Sequence, residues 1–147
     1  MSRDFFFTRD FVQTDPWPIY RHIFVVAEIG INHNGSLDLA KLLIDMAHRC
    51  GCDAVKFQKR SVDIVYPKVI LDMPRESPWG LTQRDQKQGL EFGTEGYKAI
   101  DAYCAQKGMT WFASAWDIPS LELLRPFNLP FNKIASAMVT HLDEVEM

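Results

Sequence analysis

The sequence predicts an α/β protein in which short parallel strands alternate with amphipathic helices. Three observations predict it. Short apolar runs recur at IFVVAE (23–28), AVKF (54–57), TWFAS (110–114) and FNKIAS (131–136), the pattern of strands buried on both faces. The segments between them keep apolar residues at helical spacing. Polar and ionisable residues gather at or near the strand C-termini, the end where parallel α/β folds bind ligands.

The elements follow in order. The first strand runs into NHNGS (32–36), which has turn and N-cap chemistry. LDLAKLLIDMAHRC (37–50) places Leu39, Leu42, Leu43, Met46 and Ala47 at helical spacing, and Gly51 stops the helix. AVKF begins the second strand. A second helix fits EGYKAIDAYCAQK (95–107), closed by Gly108. A third fits IPSLELLRPF (118–127), where Pro119 suits a first-turn position. These lead into the third and fourth strands, and THLDEVEM (140–147) reads as the start of one more helix. The order implies βαβ units and a parallel sheet. The stretch 60–94 breaks this rhythm. It holds Pro67, Pro74, Pro78, Gly80, Gly89 and Gly93 with little periodicity, so it reads as a long loop leaving the second strand. Such a loop is either functional or a tolerated insertion.

With 147 residues the chain fits one domain, and 47% hydrophobic with 24% charged residues is the balance of a globular protein with a core. A net charge of −3 argues against a nucleic-acid partner, which needs clustered cations, but leaves room for a small anion in one cleft. No apolar run reaches the roughly 18–20 residues that span a bilayer. The N-terminus, MSRDFFFTRDF, has charges on both sides of its aromatic cluster and makes a poor signal peptide. The expected location is the cytoplasm, with no membrane partner. Cys50, Cys52 and Cys104 are odd in number and read as buried structural thiols, because a single C-x-C is weak evidence for a metal.

The strand ends carry the chemistry. Strand one ends in Glu28, strand two carries Lys56 and Gln58, and strand three ends in Ser114 with Asp117 just beyond. Strand four holds Lys133 and ends in Ser136. Ionisable groups in apolar strands are costly unless paired or ligand-bound. Either lysine alone is explained by a neighbouring carboxylate or as an edge-strand charge. Together, on parallel strands, two ammonium groups and two hydroxyls converge on one rim and suit a phosphate-bearing ligand. Asn32-His33-Asn34-Gly35 is open to two readings, a structural turn or a part of the site. His33 is a candidate metal ligand or acid–base group, or a hydrogen-bonded structural residue. His22, His48 and His141 lack ligand-like spacing, so no protein-only metal site is assigned within the chain.

AEIGINHNG, AVKFQKR, FASAWD and NKIAS, in this order and spacing, resemble the sialic acid synthase family, from about residue 23 onward. The resemblance implies a (β/α)₈ TIM-type barrel, and an enzyme that joins phosphoenolpyruvate to an N-acylated amino sugar to give a nonulosonate and phosphate. Lys56, Ser114, Lys133 and Ser136 match the family positions that bind phosphoenolpyruvate, and Ser114 stands where many members have Thr. Glu28 matches the glutamate that meets the sugar, and Asn32, His33 and Gln58 are assigned with it to the sugar side. Glu28, Lys56 and Lys133 are the implied catalytic residues. Two departures stand out. Met138 occupies a position where many members carry a glutamate, and the histidines that hold the family's divalent metal (Mn²⁺ or Mg²⁺) are expected beyond residue 147. A homodimer is implied for the complete enzyme.

A closed barrel needs about 250 residues. The chain is therefore expected to hold an N-terminal extension (1–22) and the first four βα units of a barrel (23–147), and two such halves closing as a homodimer is the alternative. Other phosphoenolpyruvate aldolase-type synthases, and an inactive ligand-binding or assembly fragment, are the rival functions.

Overall fold

The computed structural model describes residues 23–139. The expected N-terminal extension and the expected helix THLDEVEM lie outside the described residues. In chain order, β1 (Val26–Gly30) and α1 (Leu37–Arg49) are followed by β2 (Ala54–Lys59). The next stretch holds α2 (Val62–Val65), α3 (Lys68–Leu71), β3 (Pro74–Ser77), β4 (Gly80–Thr82) and α4 (Gln83–Gly89). Then come α5 (Thr94–Lys107), β5 (Thr110–Ala115), α6 (Ile118–Leu124) with a 3₁₀ turn at Arg125–Phe127, and β6 (Lys133–Ile134) with a 3₁₀ turn at Ser136–Met138.

The main sheet is wholly parallel, in the order β1-β2-β5-β6. Each strand adds to the same side of the last, the winding of a barrel wall; a doubly wound sheet reverses direction. The sheet is also curled. Outermost strands of a flat four-stranded sheet stand about 14 Å apart, yet Phe24, just before β1, meets Phe131, just before β6, at 5.7 Å between ring centroids. Phe131 also packs edge-on against Phe112 of β5 at 5.1 Å.

Alternation along the strands separates two faces. Ile29, Val55, Phe57, Trp111 and Ala113 join Ile44 of α1, Tyr97 and Ile100 of α5 and Leu124 of α6 in one core. The core thus lies on the convex side, under the helices. The other face carries the polar residues.

Several elements differ from expectation. The first strand begins at Val26, three residues late, and runs on to Gly30. The fourth is only two residues long. The third helix ends at Leu124 and tightens into its 3₁₀ turn. In α1 the side chains that enter the core are Ala40, Ile44 and Ala47, whereas Leu39, Leu42 and Met46 stay 41–50% exposed. Two alanines let the helix lie close to the sheet, and the larger residues flank it. Cys104 is buried as expected, but Cys50 is exposed at the end of α1 and Cys52 is partly buried, so the expectation of three buried thiols fails for them.

The largest correction concerns 60–94, which is an ordered insert. Its hairpin β3–β4 is antiparallel, and α4 starts with a capping box in which Thr82 and Asp85 bond reciprocally. Arg84 ties the insert together by pairing with Asp63 of α2 and with Asp72 after α3.

Candidate active site

The strand registers place the expected residues in two rows on the concave face. In the first, Glu28 of β1 is level with Lys56 of β2, which is level with Phe112 of β5. In the second, Gln58 of β2 is level with Ser114 of β5, which is level with Lys133 of β6. The sequence puts them there because Glu28, Lys56, Gln58 and Ser114 all fall on the strand face opposite the core.

The two lysines differ. Lys56 is 6% exposed and donates to Glu28 Oε2 at 2.7 Å. Glu28 keeps a side-chain exposure of 62%, so one carboxylate oxygen pairs with the ammonium while the residue opens to the concave side. Lys133 is partly buried and makes no ion pair among the described residues. Ser114, 2% exposed, stands between Gln58 and that unpaired ammonium. Ser136 is exposed in the turn after β6, and Met138 of the same turn is buried, at 6%.

Asp117 does not join the rows. Its buried carboxylate caps α6, accepting from the Ser120 amide at 2.7 Å and the Ser61 amide at 2.6 Å, and from both serine hydroxyls at 2.9 and 2.8 Å. This carboxylate joins the end of β2 to the start of α6.

Asn32 is exposed in the β1–α1 loop, its amide held by the Ile29 carbonyl at 2.8 Å. His33, one residue on, is 2% exposed. Its ring stacks on Phe92 at 4.2 Å, and Nδ1 accepts the Gly35 amide at 3.1 Å. Burial lowers its pKa from 6.5 to about 4, against a smaller opposing effect of a hydrogen bond to the Gly30 backbone. The imidazole is therefore neutral and inside the loop, apart from the two rows.

Sequence reasoning missed Arg60 and Glu91. Arg60 Nε donates to Glu91 Oε1 at 2.7 Å, with Lys59 Nζ 3.4 Å from Oε2, which fastens the end of β2 to the insert. A basic pair directly after a buried strand was the available signal. Among the described residues no group of three His, Cys, Asp or Glu side chains could hold a metal, and no helix is long and apolar enough to cross a membrane.

A sequence model described as the NeuB family matches residues 43–147. The chain belongs to the NeuB family. It is 37% identical over 125 residues to human N-acetylneuraminate-9-phosphate synthase, covering 84% of this chain and 35% of that protein. It is 30% identical to the N,N'-diacetyllegionaminic acid synthase of Legionella pneumophila, covering 81% and 34%. The fold matches the N-acetylneuraminic acid synthetase of Leptospira borgpetersenii, solved in complex with citrate, with a TM-score of 0.71, 25% identity and coverage of 86% and 40%. The spore coat protein SpsE of Bacillus subtilis matches at a TM-score of 0.62 and 36% identity, covering 82% and 31%. This NeuB-family chain thus spans about a third of the length of its relatives, and its parallel sheet is part of a TIM-type barrel wall.

Proposed function

We propose that the chain supplies the phosphoenolpyruvate-binding wall of a synthase that condenses phosphoenolpyruvate with an N-acylated amino sugar, giving a nonulosonate and inorganic phosphate. One observation carries this reading: the row Gln58–Ser114–Lys133 beside the Glu28–Lys56 pair on one concave face. Two ammonium groups against one carboxylate leave that face a net cation, as an anionic phosphate ester requires.

In the proposed reaction C3 of phosphoenolpyruvate forms a bond to the aldehyde carbon of the open-chain sugar, whose oxygen takes a proton. Water adds at C2, which has become electron-poor, and gives up a proton. The tetrahedral intermediate then breaks its C2–O bond to phosphate and closes to a ketone. Lys133, Ser114, Ser136 and Lys56 hold the phosphate and carboxylate. Glu28 sets the Lys56 ammonium and faces the acceptor, with Gln58 and Asn32 on the same side. His33 supports Asn32 from inside the loop. The described residues do not form the divalent-metal site that the family resemblance implies. The cytoplasm is the proposed compartment, in line with a soluble phosphate-ester substrate.

Met138 favours a second reading in one respect. A buried methionine in place of a carboxylate suits a different acceptor subgroup better than a change of reaction. The test is phosphoenolpyruvate titration and phosphate release in the full-length protein. Lys133→Ala should weaken phosphoenolpyruvate binding by about tenfold or more, the loss of one charge-assisted contact, and cut phosphate release further. Unchanged binding and turnover would end this assignment.

A further inference from the structure

The insert and the β1–α1 loop are fitted to one another through two glycines. Trp79, at the turn between β3 and β4, lies against Gly89 at the end of α4, so closely that a Cβ on Gly89 would stand 2.2 Å from the indole ring. Gly89 in turn presses on Gly35: a Cβ there would stand 2.1 Å from the Gly89 carbonyl oxygen and 3.3 Å from the indole edge. Gly35 also has φ +67°, a conformation that side chains resist. Three residues past Gly89, Phe92 stacks on His33 of the same loop. Between them Glu91 holds Lys59 and Arg60 at the end of β2. Within 89–92 the insert therefore grips the Asn32–Gly35 loop twice and the strand that bears Lys56 and Gln58 once.

We propose that Trp79 is a positioning residue for the acceptor: by seating Gly89 on Gly35 it sets the loop that presents Asn32, and so tunes sugar binding from outside the site. This rests on the condensation proposed above. The phosphoenolpyruvate groups stand on β2, β5 and β6 or just after β6, held by sheet hydrogen bonds and the core, so they do not depend on the indole. The loop has no such ladder. Its own bonds are three short backbone contacts, Asn32 to Ile29, Asn34 to Ile31 and Ser36 to His33, at 2.8, 3.0 and 2.9 Å, and the Gly35 amide donating to His33 Nδ1 at 3.1 Å. Without the ring, the indole no longer holds Gly89 against Gly35, the stack of Phe92 on His33 is the remaining grip, and Asn32 is less firmly placed. Small misplacements of a binding group are expensive in rate and affinity.

The experiment uses the full-length protein with Trp79→Ala, Gly89→Ala, which displaces the ring without deleting it, and Trp79→Phe. Two readouts are taken: the separate KM values for acceptor and phosphoenolpyruvate, and amide hydrogen exchange along 31–36. Trp79→Ala and Gly89→Ala should each raise the acceptor KM about tenfold while the phosphoenolpyruvate KM stays within about twofold. The double variant should be no worse than either single, since both remove one contact, and Trp79→Phe should recover most of the loss. Protection of Asn34 and Ser36 should fall, with that of β2 and β5 unchanged. Both KM values rising together, or unaltered protection at Asn34 and Ser36, would overturn the proposal. A wild-type protein that turns over no N-acylated hexosamine would overturn the condensation reading instead, and exchange at Asn34 and Ser36 would then decide the clamp alone.

Discussion

Acid should destabilise this protein through His33, in a window set by its burial. The ring is 2% exposed and its pKa is lowered to about 4 from 6.5. The unfolded chain therefore binds a proton first as pH falls. Stability from this group is complete above pH 6.5, declines between 6.5 and about 4, and loses nothing more below that. At about 1.4 kcal/mol per pH unit the gap amounts to at most about 3 kcal/mol. Other carboxylates titrate in the same range, so the measurement has to be a difference. His33→Asn places an amide oxygen where Nδ1 accepts the Gly35 amide, gives up the stack on Phe92, and does not titrate. Urea unfolding of both proteins at several pH values between 7 and 4 should show His33→Asn less stable at neutrality. The gap should then narrow by up to about 3 kcal/mol on acidification. A gap that stays constant across the window would refute the buried, neutral imidazole.

Two further outcomes follow from burial. Asp117→Ala removes the α6 cap and leaves the Ser61 and Ser120 amides without their acceptor, so it should cost about 3 kcal/mol in urea unfolding. Phosphoenolpyruvate affinity, measured by calorimetry on the folded variant, should stay within about twofold, and a large loss would return this carboxylate to the site. Alkylation of the native protein should modify exposed Cys50 and spare Cys104, whose thiol burial pushes up to about 12; peptide mapping that found Cys104 modified first would contradict the packing of α5.

The strands were legible because parallel strands buried on both faces leave near-continuous apolar runs, and the two rows were legible because alternation puts Lys56 and Gln58 on one side of β2. The insert was not. Helix α4 has no buried residue, so no periodicity marks it, and what orders it is the long-range pairing of Arg84 with Asp63 and Asp72. His33 remained ambiguous for the same reason: its stacking partner Phe92 lies on the far side of the insert in sequence. Asp117 was grouped with the strand-end polar residues although its capping signal was present: an Asp followed by Pro119 and Ser120 is an N-cap pattern.

The two lysines should not be equivalent, and their difference tests the charge balance of the concave face. Lys56 is already paired with Glu28, while Lys133 has no ion pair among the described residues. Lys133→Ala removes an attraction and nothing else. Lys56→Ala also removes the partner of Glu28, whose carboxylate then faces an incoming phosphate uncompensated, and like charges at close range repel. Lys56→Ala should therefore weaken phosphoenolpyruvate binding more than Lys133→Ala. Adding Glu28→Gln to it should restore part of the loss, because the repelling charge is gone. If Glu28→Gln restores nothing, Glu28 does not sit within electrostatic reach of the anion, and the phosphate belongs to the Gln58–Ser114–Lys133 row alone.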